Sequence, residues 1–318
     1  MIGGVQNRVP SSLARFAWLV LGYNVLVILW GAYVRATGSG AGCGAHWPLC
    51  NGEVVPRAPD AAMLVEFSHR ASSGLALLAV LALAVWVWRR VEAPHPARRG
   101  ALWSVIFIVV EALLGAGLVL FQLVARDESL ARAIVMPLHL LNTLVLLLCL
   151  TLTAHWLSGG APISLERRAR TFAIVVALFL LMAGVGVSGA IAALGDTLYP
   201  STTLLEGLKA DFSSSGSVLL RLRILHPTLG VATAFLLLFG MAALPILPDQ
   251  RRGLAARRAV TVLAVLQVVI GFANVWLLAP VWMQLLHLAV ADLIWIALVV
   301  CAASALADER HAVVGQPR

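Results

Sequence analysis

Charge is scarce in this sequence. Only 12% of its 318 residues are Asp, Glu, Lys or Arg, about half the share of a soluble domain. Hydrophobic residues make up 61%, and mean hydropathy is +0.93. So little polar surface excludes a chain that faces water all round. Also lacking is a signal-peptide cleavage site after the first apolar run. That run is too long for a signal-peptide core and is read as a retained helix. No organelle transit pattern is present, so a bacterial plasma membrane is the expected location. Cysteine is rare as well, with four residues, two of them in one loop.

Long apolar runs, by contrast, are plentiful. Eight occur, at about 16–36, 64–88, 101–123, 136–157, 171–194, 217–245, 259–279 and 282–306. Each has the roughly 20 residues that a membrane-spanning helix needs. Little chain remains for a separate soluble domain. The net charge of +8 does not point to nucleic acid, because the positive charge sits between the runs. With the N-terminus inside, the inner segments hold Arg8, Arg15, Arg89, Arg90, Arg98, Arg99, Arg167, Arg168, Arg170, Arg251, Arg252, Arg257, Arg258, Arg310 and Arg318. The positive-inside rule then predicts cytoplasmic termini and four outer loops.

The first outer loop, 36–63, contains Cys43-Gly44-Ala45-His46-Trp47-Pro48-Leu49-Cys50. Two cysteines on an oxidising face suit a disulfide or redox pair. A metal site with His46 is the competitor, but a fourth ligand is not nearby. The next run opens with Glu66-Phe67-Ser68-His69-Arg70. Spacings of three and four place Glu66, His69 and Arg70 on one helix face. Taken alone, Glu66 and Arg70 read as an i,i+4 ion pair. Glu111 lies in mid-span, and hydrogen bonding between helices explains it as well as proton transfer does. Pro137 reads as a first-turn residue of the fourth helix. His95 reads as a solvated loop residue, His155 as an interface residue at the inner end, Cys149 as a core thiol and Asp292 as an interior polar contact.

The pattern then restarts. Gly31 lines up with Gly189 at an offset of 158, and His69 with His226 at 157. Glu111 and Gly115 line up with Gln267 and Gly271 at 156, and His139 with His287 at 148. The outer loop at about 195–216 reads as polar and flexible, without the cysteine pair of its counterpart. The expected fold is therefore an all-α polytopic membrane protein. Its eight transmembrane helices form two four-helix bundles, 1–160 and 161–318, related by a pseudo-twofold axis along the membrane normal.

Four histidines at repeat-related positions, all in the outer halves of their helices, are hard to explain as isolated polar contacts. Two facing imidazoles at one depth suit ligation of a haem iron within a bundle. The copies differ: Glu66 is matched by Arg223, and Arg70 by Pro227. A carboxylate beside a haem moves protons or orients a substrate group. That predicts chemistry in the first bundle and a fixed electron-transfer haem in the second.

At this point the chain resembles haem A synthase, in the bacterial branch with the cysteine pair. The resemblance runs through all eight spans. It is carried by the 31–40 stretch Gly-Ala-Tyr-Val-Arg-Ala-Thr-Gly-Ser-Gly, the Cys43–Cys50 loop, Glu66-Phe67-Ser68-His69-Arg70 and the three later helix histidines. It implies oxidation of a ring methyl of haem O to the formyl group of haem A. His69 and His139 would bracket the substrate haem, and His226 and His287 would ligate a haem b cofactor. Glu66 would be the catalytic acid, and Cys43 and Cys50 a redox-active or structural pair. Arg35, Arg70 and Arg223 are candidate contacts for haem propionates. Haem O synthase and an electron donor are the implied partners. The alternatives are a diheme cytochrome b-like electron-transfer subunit and, further off, a parallel-repeat transporter.

Overall fold

The computed structural model describes residues 9–166, 168–213, 218–246 and 250–308. Arg8, Arg167, Arg310 and Arg318, and residues 214–217 of the fifth-to-sixth span loop, lie outside it. Ten α-helices occur among the described residues: α1 Ser11–Ala36, α2 Ala61–Arg90, α3 Ala97–Leu120, α4 Leu130–Leu157, α5 Ala169–Leu198, α6 Leu204–Asp211, α7 Val218–Arg223, α8 Leu225–Ala243, α9 Arg251–Trp276 and α10 Val281–Ala305. Eight segments are long and apolar enough to cross a membrane, with Leu219–Ala243 counted as one. The chain is a multi-pass membrane protein.

Local sequence explains the boundaries. Asp60 caps α2, accepting from the Met63 N–H at 2.8 Å. Ser129 caps α4, accepting from the Arg132 N–H at 3.2 Å. That cap starts α4 one and a half turns before the apolar run does, so Pro137 lies inside the helix rather than in its first turn. A proline there removes one i→i−4 donor. The sixth span is broken at Ile224 into α7 and α8. The loop before it, read as polar and flexible, folds its first part into α6. There Thr203 accepts from the Glu206 N–H at 3.2 Å, and Glu206 accepts from the Thr202 N–H and hydroxyl. His95 is half-buried, not solvated. Its Nδ1 accepts from the Ala97 N–H at 3.2 Å, and burial pulls its pKa below the ordinary imidazole value.

Helices α1 to α4 pack in a closed ring, with α1 against both α2 and α4. Helices α5, α8, α9 and α10 form a second ring. The two meet where α4 and α1 pack on α5 and α10. This contact pattern is compatible with two copies of one four-helix unit. The most buried spans are α4 and α10. Trp295 Nε1 of α10 donates to the Leu144 carbonyl of α4 at 2.8 Å, and its ring meets Phe179 of α5 edge-on at 4.9 Å. The third and seventh spans also end alike. Gln122 and Leu278, 156 apart, both take the left-handed backbone conformation just past the helix end, at φ 57° and 61°.

Candidate functional site

Each of the four histidines lies within ten residues of the N-terminal end of its span, counting the sixth from α7. They therefore share a depth. Each also faces a glycine on the preceding span. A Cβ on Gly31 would lie 2.9 Å from His69 Cε1, and one on Gly189 2.9 Å from His226 Cε1. The same construction places His287 Cε1 3.2 Å from Gly271 and His139 Cε1 3.9 Å from Gly115. At Gly31 and Gly189, and more loosely at Gly271, glycine lets the ring come close against a neighbouring helix, whereas at Gly115 a Cβ would make only ordinary contact.

His226 and His287 face each other with ring centroids 6.1 Å apart and planes at 88°. A metal about 2 Å from one nitrogen of each ring would set the centroids roughly 6 Å apart. The pair therefore fits a haem iron held between α8 and α10. Ser188 Oγ lies 3.1 Å from His226 Nδ1. Gln267 reaches His287 from α9, with its amide nitrogen 3.2 Å from Nε2. A groove of about 490 Å³ is lined by Leu26, Val27, Trp30, Ser72 and Ser68, the residue before His69, among others.

Glu66 lies one turn before His69 on α2 and is 3% exposed. Its Oε2 accepts from the Cys43 N–H at 2.8 Å. Its Oε1 accepts from Arg70 Nε at 3.1 Å and also contacts Arg70 Nη2. Arg70 Nη1 in turn donates to the carbonyls of His46 and Leu49 at 2.5 and 2.7 Å. The i,i+4 pair is real, but it is buried and ties the loop to the helix. The loop itself lies hard against α2, since a Cβ on Gly42 would sit 2.5 Å from backbone atoms of Ala62 and Met63.

Cys43 and Cys50 form a disulfide, and both are buried. Among the described residues no group of three or more His, Cys, Asp or Glu could hold a metal ion. The metal reading of this loop is thereby set aside, because its thiols are spent on each other. Closing so short a loop constrains the unfolded chain by about 2.5 kcal/mol. Replacing both cysteines by serine should lower the melting temperature of the purified protein. An unchanged melt would show that the loop is held by Arg70 alone.

The three arginines named as propionate contacts all have protein partners. Arg35 donates to the Ala193 carbonyl, Thr197 Oγ1 and Gln284 Oε1 at 2.6–2.8 Å. Arg223 donates to Asp196 at 2.9 Å and to Asp211 at 2.5 and 2.9 Å. Both rings thus carry an arginine–carboxylate cluster at this end, with the charge order exchanged. Sequence reasoning missed Asp196 and Asp211. The Thr203-x-x-Glu206 capping signal of α6 was available to place Asp211 at a helix end. Elsewhere, Cys149 is a buried thiol, His155 is buried in the last turn of α4, and Asp292 is 1% exposed. Asp292 Oδ2 has no hydrogen-bond partner among the described residues.

Four repeat-related histidines, a fitted imidazole pair and a single buried Glu–Arg pair are not a combination that fold alone produces. The sequence model of the COX15-CtaA family, described as cytochrome oxidase assembly protein, matches residues 14–299. The chain belongs to that family. It is 49% identical over 302 residues to a protein of Thermus thermophilus named protoheme IX farnesyltransferase, covering 93% of this chain and 49% of that one. It is also similar to heme A synthase of Halalkalibacterium halodurans, 44% identical over 110 residues, or 35% of this chain and 37% of that one. Heme A synthase of Alkalihalophilus pseudofirmus matches at 45% over 97 residues, 30% of this chain and 33% of its own. The chain thus spans about half the length of its Thermus relative, and the heme A synthase matches cover about a third of each chain.

Proposed function

We propose that this chain is a haem A synthase: it oxidises a ring methyl of haem O, in steps, to the formyl group of haem A. The observation that carries the reading is the asymmetry between two otherwise repeated histidine pairs. Both halves have two histidines set against glycines, but only the first has a buried glutamate beside them. In this reading residues 1–160 form the reacting half and 161–318 the cofactor half, two bundles related by a pseudo-twofold axis. His69 and His139 bracket the substrate haem. His226 and His287 hold haem b, which supplies an electron-transfer group when bound. Glu66 carries protons at the reacting edge, its orientation fixed by the Cys43 amide and Arg70. The disulfide holds that amide in place, which makes the cysteine pair structural before it is anything else. The arginine clusters line the outer end of each site, where propionates would lie.

The charge between the spans supports cytoplasmic termini, with both haem sites toward the outer face of a bacterial plasma membrane. The groove lined by Trp30 and Ser68 suits a substrate that arrives through lipid. The name of the Thermus relative supports haem O synthase as the delivering partner, and an electron donor completes the cycle. The test is haem extraction from the purified full-length protein, with and without a supply of haem O. A formyl haem should appear only with haem O. Two unmodified haems under both conditions would favour the diheme electron carrier instead.

A further inference from the structure

We propose that Glu111 is a positioning residue for His139, and that a carboxylate at this place is what separates the reacting half from the cofactor half. The inference rests on the reading of His139 as a substrate-haem residue. His139 Nδ1 is buried and has no hydrogen-bond partner among the described residues. Glu111 Oε1 lies 3.4 Å from it. The carboxylate is itself clamped. Asn142 Nδ2 donates to Oε2 at 2.5 Å, and the Thr143 hydroxyl donates to Oε1. Asn142 also donates to the Phe107 carbonyl of α3 at 2.9 Å. Both clamping residues lie on α4, one turn beyond His139 itself.

With the carboxylate pinned, a small turn of the imidazole closes an Nδ1–H···Oε1 hydrogen bond. That bond fixes the tautomer and leaves the Nε2 lone pair for iron. A carboxylate acceptor also raises the basicity of the ring as a ligand, which favours the oxidised iron. The second half is built differently at the corresponding places. Gln267, at the Glu111 position, sets a neutral amide 3.2 Å from His287 Nε2 and leaves Nδ1 without a partner among the described residues. His226 has the neutral hydroxyl of Ser188. The reacting half therefore has a charged orienting group, and the partners of the second pair are neutral. A helix–helix hydrogen bond with no further role would not need that difference.

The test is a redox titration, by visible absorption, of the full-length protein carrying both haems in detergent. Glu111→Gln should move the midpoint potential of the substrate-site haem to more positive values and leave the other unmoved. Asn142→Ala, which unpins the carboxylate, should move the same midpoint in the same direction by a smaller amount. Unmoved midpoints in both variants, with both haems bound, would overturn the proposal and leave Glu111 as packing. Should Glu111→Gln not assemble, Asn142→Ala decides, and an unmoved substrate-site haem there overturns the proposal equally. Haem O conversion by the wild-type protein is followed in the same preparations. If formyl haem forms while the midpoints stay fixed, only this inference fails. If none forms, the functional reading fails.

Discussion

Gly189→Val should empty the second histidine pair, and Gly31→Val the first. In each case a Cβ would lie 2.9 Å from the Cε1 of the facing imidazole, closer than carbon atoms approach without something moving. Backbone helices cannot give way cheaply, since overpacking costs about 1–3 kcal/mol. The ring gives way instead, and with it the nitrogen aimed at the iron. Loss of ligand orientation of this kind weakens binding on the order of 10–100-fold. Haem content per chain should fall from two to one in each variant, read after extraction. The remaining haem should differ between the variants: a cofactor haem in Gly31→Val and a substrate haem in Gly189→Val. Full occupancy in Gly189→Val would show that His226 is not held where its glycine places it.

The second large effect is expected at Glu66. Glu66→Gln keeps an acceptor for the Cys43 N–H but removes the charge. Formation of haem A should fall by roughly 10²–10⁴-fold, the usual contribution of a proton-transferring group, with both haems retained. Glu66→Ala should do more. It strands the Arg70 guanidinium, whose side chain is 11% exposed, and breaking a buried pair costs about 3–5 kcal/mol. The loop held through His46 and Leu49 should then loosen, and the melting temperature should drop. Normal conversion of haem O by Glu66→Gln would remove Glu66 from the chemistry and leave it a structural tie.

Much of this site is legible in the sequence because it is periodic. The glycines and the first histidines recur at offsets of 156–158 and the last histidines at 148, and apolar runs of spanning length place them on helices. Glu66 and Arg70 are four apart, so their pairing needs no tertiary knowledge. Glu111 is different. Its partners Asn142 and Thr143 are 31 and 32 residues away on another helix, and no local spacing brings them together. Arg223 is harder still, since its carboxylates come from α5 and from the end of α6, and α6 lies in a loop read as polar and flexible. The start of α4 departs from expectation for a local reason. Ser129 caps the helix about two turns before Pro137, and the proline signal is the louder of the two. The first-loop cysteines allow two chemistries, and only the folded loop, with both sulfurs buried together, chooses between them.

Arg35 belongs to the first ring, yet all three of its hydrogen bonds end in the second, on α5 and α10. The two rings are therefore fastened at the same end as their histidines. Electron tunnelling falls off exponentially with the gap between donor and acceptor, so the rate between two haems is set by how firmly that gap is held. In the proposed reading the gap would be held by the packing of α1 and α4 on α5 and α10 and, at the histidine end, by the Arg35 guanidinium.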